Sequence, residues 1–171
     1  LDAVRQLRSG DRLVTFFGLM YYAALRPSEA VDLRKDALSI PAKGWGELYL
    51  STSAPAAGRA WSQDGTRREV RQLKHRGAEE IRVVPCPPEL TAMLREHLDA
   101  HGTDAHGRLF RGARGGPLSE SVYSVRWAEA RRKALTPPEV ASPLARRPYD
   151  LRHAAVSTWL NGGVPAPQVA A

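Results

Sequence analysis

The sequence predicts a mainly helical domain carrying one small antiparallel β-sheet. Three observations predict it. Apolar residues recur at helical spacing in several segments, such as Leu90, Met93, Leu94 and Leu98. Between residues 37 and 84 the pattern shortens to alternation, as in Leu48, Tyr49 and Leu50. Pro, Gly, Asp and Ser mark the boundaries between these stretches. At 171 residues and 43% hydrophobic, the chain is one domain's worth with enough apolar content for a core.

In chain order, Asp11 is a plausible cap for a helix running to about Leu25, with Leu13, Phe16, Phe17, Met20 and Ala24 along it. Pro27 disfavours helical geometry at Arg26 and suits the first turn of a second helix, to about Arg34. Arg26 thus falls in a bend between helices. Residues 37–40 and 46–52 read as strands, and 53–66 as a loop. Residues 67–73 and 80–84 read as a strand pair around Lys74–Ala78. Residues 88–101 form an amphipathic helix, and Ser119 caps another to about Leu135. Residues 137–148 read as a linker. Asp150 caps a helix to about Asn161, ended by Gly162 and Gly163, and Pro165 starts one more.

The net charge is +7 and the sequence pI about 10.1, with Arg outnumbering Lys. The positive excess sits in residues 59–82 and 108–152. Forked, permanently charged guanidinium groups suit phosphate, so the expected partner is a polyanion. One cysteine, Cys86, excludes an internal disulfide and a cysteine-based metal site. The longest apolar stretch, residues 13–25, is too short and too interrupted to span a bilayer. No signal peptide or lipidation motif is visible. These features predict a cytoplasmic protein with no membrane partner, no metal and no cofactor. The absence of an initial Met and the end at Ala171, inside a young helix, suggest a fragment.

Three basic residues sit where a side chain can be aimed. Arg26 lies in the helix–helix bend, Lys74 at the strand pair, and Arg152 in the first turn of a helix, where backbone N–H groups also favour an anion. Together they could bind one phosphodiester and its developing charge. Singly, each has a plainer reading. Arg26 could pair with Glu29, Lys74 could be a solvated turn lysine, and Arg152 could pair with Asp150.

The surrounding letters narrow this. Ala24-Leu25-Arg26-Pro27-Ser28-Glu29-Ala30-Val31-Asp32-Leu33-Arg34 resembles the first arginine box of the tyrosine recombinases, the phage-integrase family. Leu73-Lys74, followed by Ile81-Arg82-Val83-Val84-Pro85, resembles the family's β-hairpin lysine and its outgoing strand. Arg147-Pro148-Tyr149-Asp150-Leu151-Arg152-His153, with Trp159-Leu160 and Gly163-Val164, resembles the second arginine box. The motifs keep the family's order and reach from Leu13 to the chain's end.

The resemblance implies the catalytic-core fold of that family and site-specific DNA cleavage and rejoining through a 3′-phosphotyrosyl bond. Such an ester stores the bond energy, so no ATP is needed. By similarity, Arg26 and Arg152 hold the non-bridging phosphate oxygens and Lys74 protonates the 5′-oxygen. Glu29 braces the Arg26 turn, and His153 helps hold the site. With double-stranded DNA as the implied partner, Arg82, Arg126 and Arg147 are candidate DNA contacts. The parent protein is expected to act as a tetramer on two DNA sites, with residues 1–171 alone monomeric. An N-terminal DNA-binding domain is expected to be absent from this chain.

Two departures stand out. Tyr149 occupies the position where the box usually opens with histidine, and a phenol does not act as a base near pH 7 as imidazole does. The family's nucleophilic tyrosine is expected beyond Ala171, so residues 1–171 alone are expected to be inactive. A rival reading is a DNA-binding regulator that keeps the recombinase scaffold without cutting; a second is an Arg-rich RNA binder.

Other candidates have structural readings. His97, His101 and His106 lack the acid of a zinc-protease pair and read as a solvated helix end. Residues 111–116 read as a turn. Glu79 and Glu80 point to opposite faces of a strand. Trp45, Trp61, Trp127 and Trp159 are expected to be buried or partly buried, and Cys86 structural.

Overall fold

Helix α2 (Asp11–Tyr22) runs through the middle of the molecule, and every residue from Leu13 to Met20 is buried. It reads as nearly continuous apolar sequence because neighbours cover it on several sides. The computed structural model describes residues 1–50, 52–53, 71–72 and 81–170. Around α2 pack α1 (Asp2–Arg5), α3 (Pro27–Asp32), α4 (Pro88–His101) and α7 (Asp150–Asn161). α5 (Glu120–Ala134) packs on α1, α6 (Pro137–Ala141) on α5, and α8 (Ala166–Ala170) on α7. Phe16 anchors the core, its ring 5.4 Å from those of Phe17 and Phe110 and 5.0 Å from that of Tyr123. Helices dominate and the sheet is small and antiparallel, as expected.

The sheet has the order β1 (Leu38–Ser39), β2 (Gly46–Leu50), β5 (Arg82–Cys86). Leu48 pairs with Leu38 on one side and Val84 on the other. Alternation turns Leu48, Leu50, Val84 and Cys86 inward and leaves Glu47, Tyr49, Val83 and Pro85 outward. A second pair, β3 (Thr52–Ser53) and β4 (Arg71–Gln72), is also antiparallel. The expected pairing of residues 67–73 with 80–84 is therefore corrected where it can be seen: β4 pairs with β3, and β5 with β2. Lys74, Glu79, Glu80 and Trp61 lie outside the described residues.

Several boundaries also differ. α2 stops at Tyr22, three residues short of Leu25, because Ala24 takes a left-handed conformation (φ 49). The cap of α2 is Gly10, with Asp11 the first helical residue. A Cβ on Gly10 would lie 1.8 Å from the Val4 carbonyl oxygen, so the α1–α2 turn needs glycine there. The expected linker holds a short helix, α6. Its signal is Thr136-Pro137-Pro138-Glu139, with the Glu139 carboxylate accepting from the Thr136 backbone N–H (2.8 Å) and hydroxyl (2.7 Å).

Candidate functional site

Arg26 is the N-cap residue of α3, in extended conformation (φ −70, ψ 149), with Pro27 in the first turn. Its backbone N–H donates to Glu29 Oε2 at 2.7 Å and its Nη1 to Glu29 Oε1 at 2.9 Å. The Glu29 side chain is fully buried (0% exposed), whereas that of Arg26 is 41% exposed. The carboxylate thus fixes the base of Arg26 and leaves part of its fork facing outward.

Glu29 holds a second cation. Arg82 is the first residue of β5, and the strand's alternation turns it inward with Val84 and Cys86. Its Nη2 lies 2.9 Å from Glu29 Oε2, and its side chain is only 13% exposed. The contact is charge to charge: among the described residues, neither Nη2 nor Nε makes an aligned hydrogen bond. Burial pulls the Arg82 pKa down, Glu29 opposes this, and the Arg152 and Arg26 charges add to it. Arg82 therefore feels both other arginines.

Arg152 is the third residue of α7, and its Nη1 donates to the carbonyl oxygen of Ala24, in the turn just before Arg26. It does not pair with Asp150, whose carboxylate instead accepts the Arg147 backbone N–H at 2.9 Å. A cavity of about 520 Å³ opens here, lined by Ala24, Arg82, Arg152, Tyr21, Trp159 and others.

The structure thus gathers Arg26, Glu29, Arg82 and Arg152, which the sequence spreads over three segments. Three guanidinium groups against one carboxylate leave this corner positive and able to hold an anion. Tyr149 is the N-cap residue of α7, and its ring meets that of His153 edge-on at 5.0 Å. His153 is exposed. Arg126 is engaged on its own helix, Nη1 donating to Glu129 at 2.7 Å. Arg147 is exposed beside the α7 cap.

Residues 2–171 match the phage integrase family. The chain belongs to that family, the tyrosine recombinases. The chain is similar in fold to the Tn1549 transposon integrase in complex with transposon right end DNA. The TM-score is 0.75 at 16% identity, covering 98% of this chain and 52% of that one. The Tn1549 integrase with circular intermediate DNA gives 0.76 at 15%, covering 98% and 53%. XerH site-specific recombinase bound to difH substrate gives 0.69 at 11%, covering 98% and 42%. The chain thus spans about half the length of these structures. No curated protein matches it.

Two sequence expectations outside this corner are corrected. His97 is buried (4% exposed), with Nε2 donating to the Leu109 carbonyl at 3.0 Å, so it is no solvated helix end. Trp45 is 65% exposed, whereas Trp127 is buried and donates from Nε1 to the Ala145 carbonyl at 2.8 Å. Arg82 meets Glu29, a pairing the sequence does not announce. Its signal is the alternation that turns Arg82 to the face of Val84. Among the described residues, no helix is long and apolar enough to cross a membrane, and no three His, Cys, Asp or Glu are grouped to hold a metal ion.

Proposed function

We propose that residues 1–171 are the phosphate-clamping part of a site-specific DNA recombinase. The observation that supports this most is the Arg152 contact to the Ala24 carbonyl, which brings the second arginine box to the turn preceding Arg26. Arg26 and Arg152 take the two non-bridging oxygens of a scissile phosphodiester. A tyrosine outside positions 1–171 attacks the phosphorus; its O–P bond forms as the P–O5′ bond breaks, and the tyrosine's proton passes to solvent water. Lys74 gives a proton to the departing 5′-oxygen. Charge aimed at the phosphorane oxygens lowers the barrier, and losing one such donor typically costs about 10²–10³ in rate. Glu29 keeps Arg26 in place, His153 and Tyr149 line the entrance of α7, and Arg126 and Arg147 contact the DNA backbone. The second integrase-like reading, a regulator that binds without cutting, shares the clamp and lacks only the attack.

Binding to duplex DNA tests the clamp. The chain should bind with an affinity that falls steeply between about 50 and 200 mM salt. Replacing Arg26 or Arg152 by Ala should weaken binding and lower the salt slope by about one unit for each phosphate no longer neutralised. Binding indifferent to salt, or unaffected by both replacements, sinks the proposal.

A further inference from the structure

Glu29 poses a problem for a phosphate pocket. A buried carboxylate 2.9 Å from Arg26 positions that guanidinium but also cancels its charge, just where an anion must be drawn in. A buried carboxylate with only one cation is also costly to keep. Arg82 answers both difficulties. It reaches Glu29 Oε2 from the other side, from the inner face of β5, while Arg26 takes Oε1 and closes the cap at Oε2 through its backbone. With Arg82 present, the three arginines and one carboxylate carry two net positive charges; without it they carry one. Arg82 Nε and Nη2 are closed off from solvent, so these atoms do not face an incoming phosphate.

We infer that Arg82 is a positioning residue of the phosphate pocket: it holds the Glu29 carboxylate in the orientation that braces Arg26 and offsets the negative charge Glu29 brings. The inference rests on the clamp reading given above. It assigns Arg82 a task inside the site, acting through Glu29, in place of direct contact with DNA. Arg82 stands on the strand that leaves the Lys74 region, so it also ties that strand to the α2–α3 turn. Arg26, Glu29 and Arg82 thus form a bracket from helix to sheet.

The test follows arginine side-chain N–H signals by NMR in the 171-residue chain while inorganic phosphate is added. In the wild type, phosphate should shift Arg26 and Arg152, and the Arg82 Nε–H should stay slow to exchange with solvent. Arg82→Gln should weaken phosphate binding by about tenfold or more, whereas Arg82→Lys, which keeps the charge, should stay within about threefold of wild type. Should Arg82→Gln not fold, the double variant Glu29→Gln/Arg82→Gln removes both buried charges and keeps the wild-type net charge. The inference expects the double variant to bind phosphate more weakly, because Arg26 is left without its brace. Wild-type affinity in a folded Arg82→Gln variant, or in the double variant, overturns the inference and leaves the clamp reading standing. Phosphate that shifts neither Arg26 nor Arg152 in the wild type overturns the clamp reading itself.

Discussion

The Arg152 side chain donates a hydrogen bond to the backbone carbonyl of Ala24, 128 residues earlier in the chain. Ala24 is 2% exposed and sits at φ 49, a conformation that disfavours L side chains. The left-handed residue ends α2, turns the chain toward Arg26 and presents its carbonyl to α7. One turn residue therefore sets the spacing between two arginines from opposite ends of the sequence.

That geometry makes Ala24 a sensitive position. A left-handed conformation costs a non-glycine residue about 1–2 kcal/mol, whereas glycine adopts it freely at some cost in unfolded-chain entropy. Ala24→Gly should therefore leave stability unchanged or raise it by up to about 1 kcal/mol. Ala24→Val, β-branched and buried, should lower it by about 2 kcal/mol or more. Urea unfolding of both variants checks this, and equal destabilisation in the two would show that the turn does not depend on φ at Ala24.

Gly10 is the second position where backbone geometry dictates the residue. A Cβ there would collide with the Val4 carbonyl, which is main chain and cannot rotate away. Gly10→Ala should detach α1 from α2 and expose Val4, which is 1% exposed in the fold. Hydrogen exchange should show reduced protection in residues 2–7 with α4 and β5 little changed. A variant with wild-type protection in α1 would refute the close-approach argument.

Much of the helical frame is legible in the sequence because helices are local. The spacing of Leu90, Leu94 and Leu98, with Pro88 in the first turn, fixes α4 with little help from the rest of the chain. Sheet partners are less legible, because pairing joins distant segments and a strand does not name its partner. β5 is visible as a strand, yet its pairing with β2 is not, and that pairing helps carry Arg82 to Glu29. The arginine boxes announce Arg26 and Arg152. Nothing local announces that a carbonyl at Ala24 receives Arg152. The polarity of His97 suggests a solvated residue, but its position decides otherwise, seven residues after Leu90 and three after Leu94 on the buried face of α4.

The burial of His97 has a pH consequence. Burial lowers its pKa, the Leu109 carbonyl opposes this, and His101 and Arg12 add to the lowering, with Asp11 opposing. With Nε2 donating to Leu109, the buried Nδ1 has no hydrogen-bond partner among the described residues, so a second proton there is unfavourable. A histidine whose folded pKa lies below its unfolded value binds more protons when unfolded. Its contribution to stability is complete above the ordinary histidine pKa of about 6.5 and is lost as the pH falls below it. Unfolding midpoints from pH 7.5 down to pH 5 should therefore decline, and His97→Gln should flatten that decline while lowering stability at pH 7.5. An equally steep acid decline in the variant would place the titration elsewhere.

Tyr149 opens α7 in the position where the family's box usually carries histidine, and its ring packs edge-on against His153. A phenol at this place can donate one hydrogen bond to a phosphate oxygen, an interaction worth about 1.5–3 kcal/mol when the acceptor is charged. Removing only the hydroxyl, Tyr149→Phe, keeps the ring and its packing. It should weaken duplex DNA binding by about tenfold or more, with the unfolding midpoint unchanged. Tyr149→His should behave differently with pH. Imidazole gains a positive charge as the pH falls through about 6.5, so binding by this variant should strengthen from pH 8 to pH 6 relative to wild type. Fluorescence anisotropy with a labelled duplex at fixed ionic strength reads both effects. Parallel pH curves for wild type and Tyr149→His, together with unchanged binding by Tyr149→Phe, would place Tyr149 outside the phosphate site. A change in one and not the other separates the two contributions: weaker binding in Tyr149→Phe alone marks the hydroxyl as the group that meets phosphate, and a pH effect in Tyr149→His alone marks the position as close to phosphate while the native phenol stands back from it.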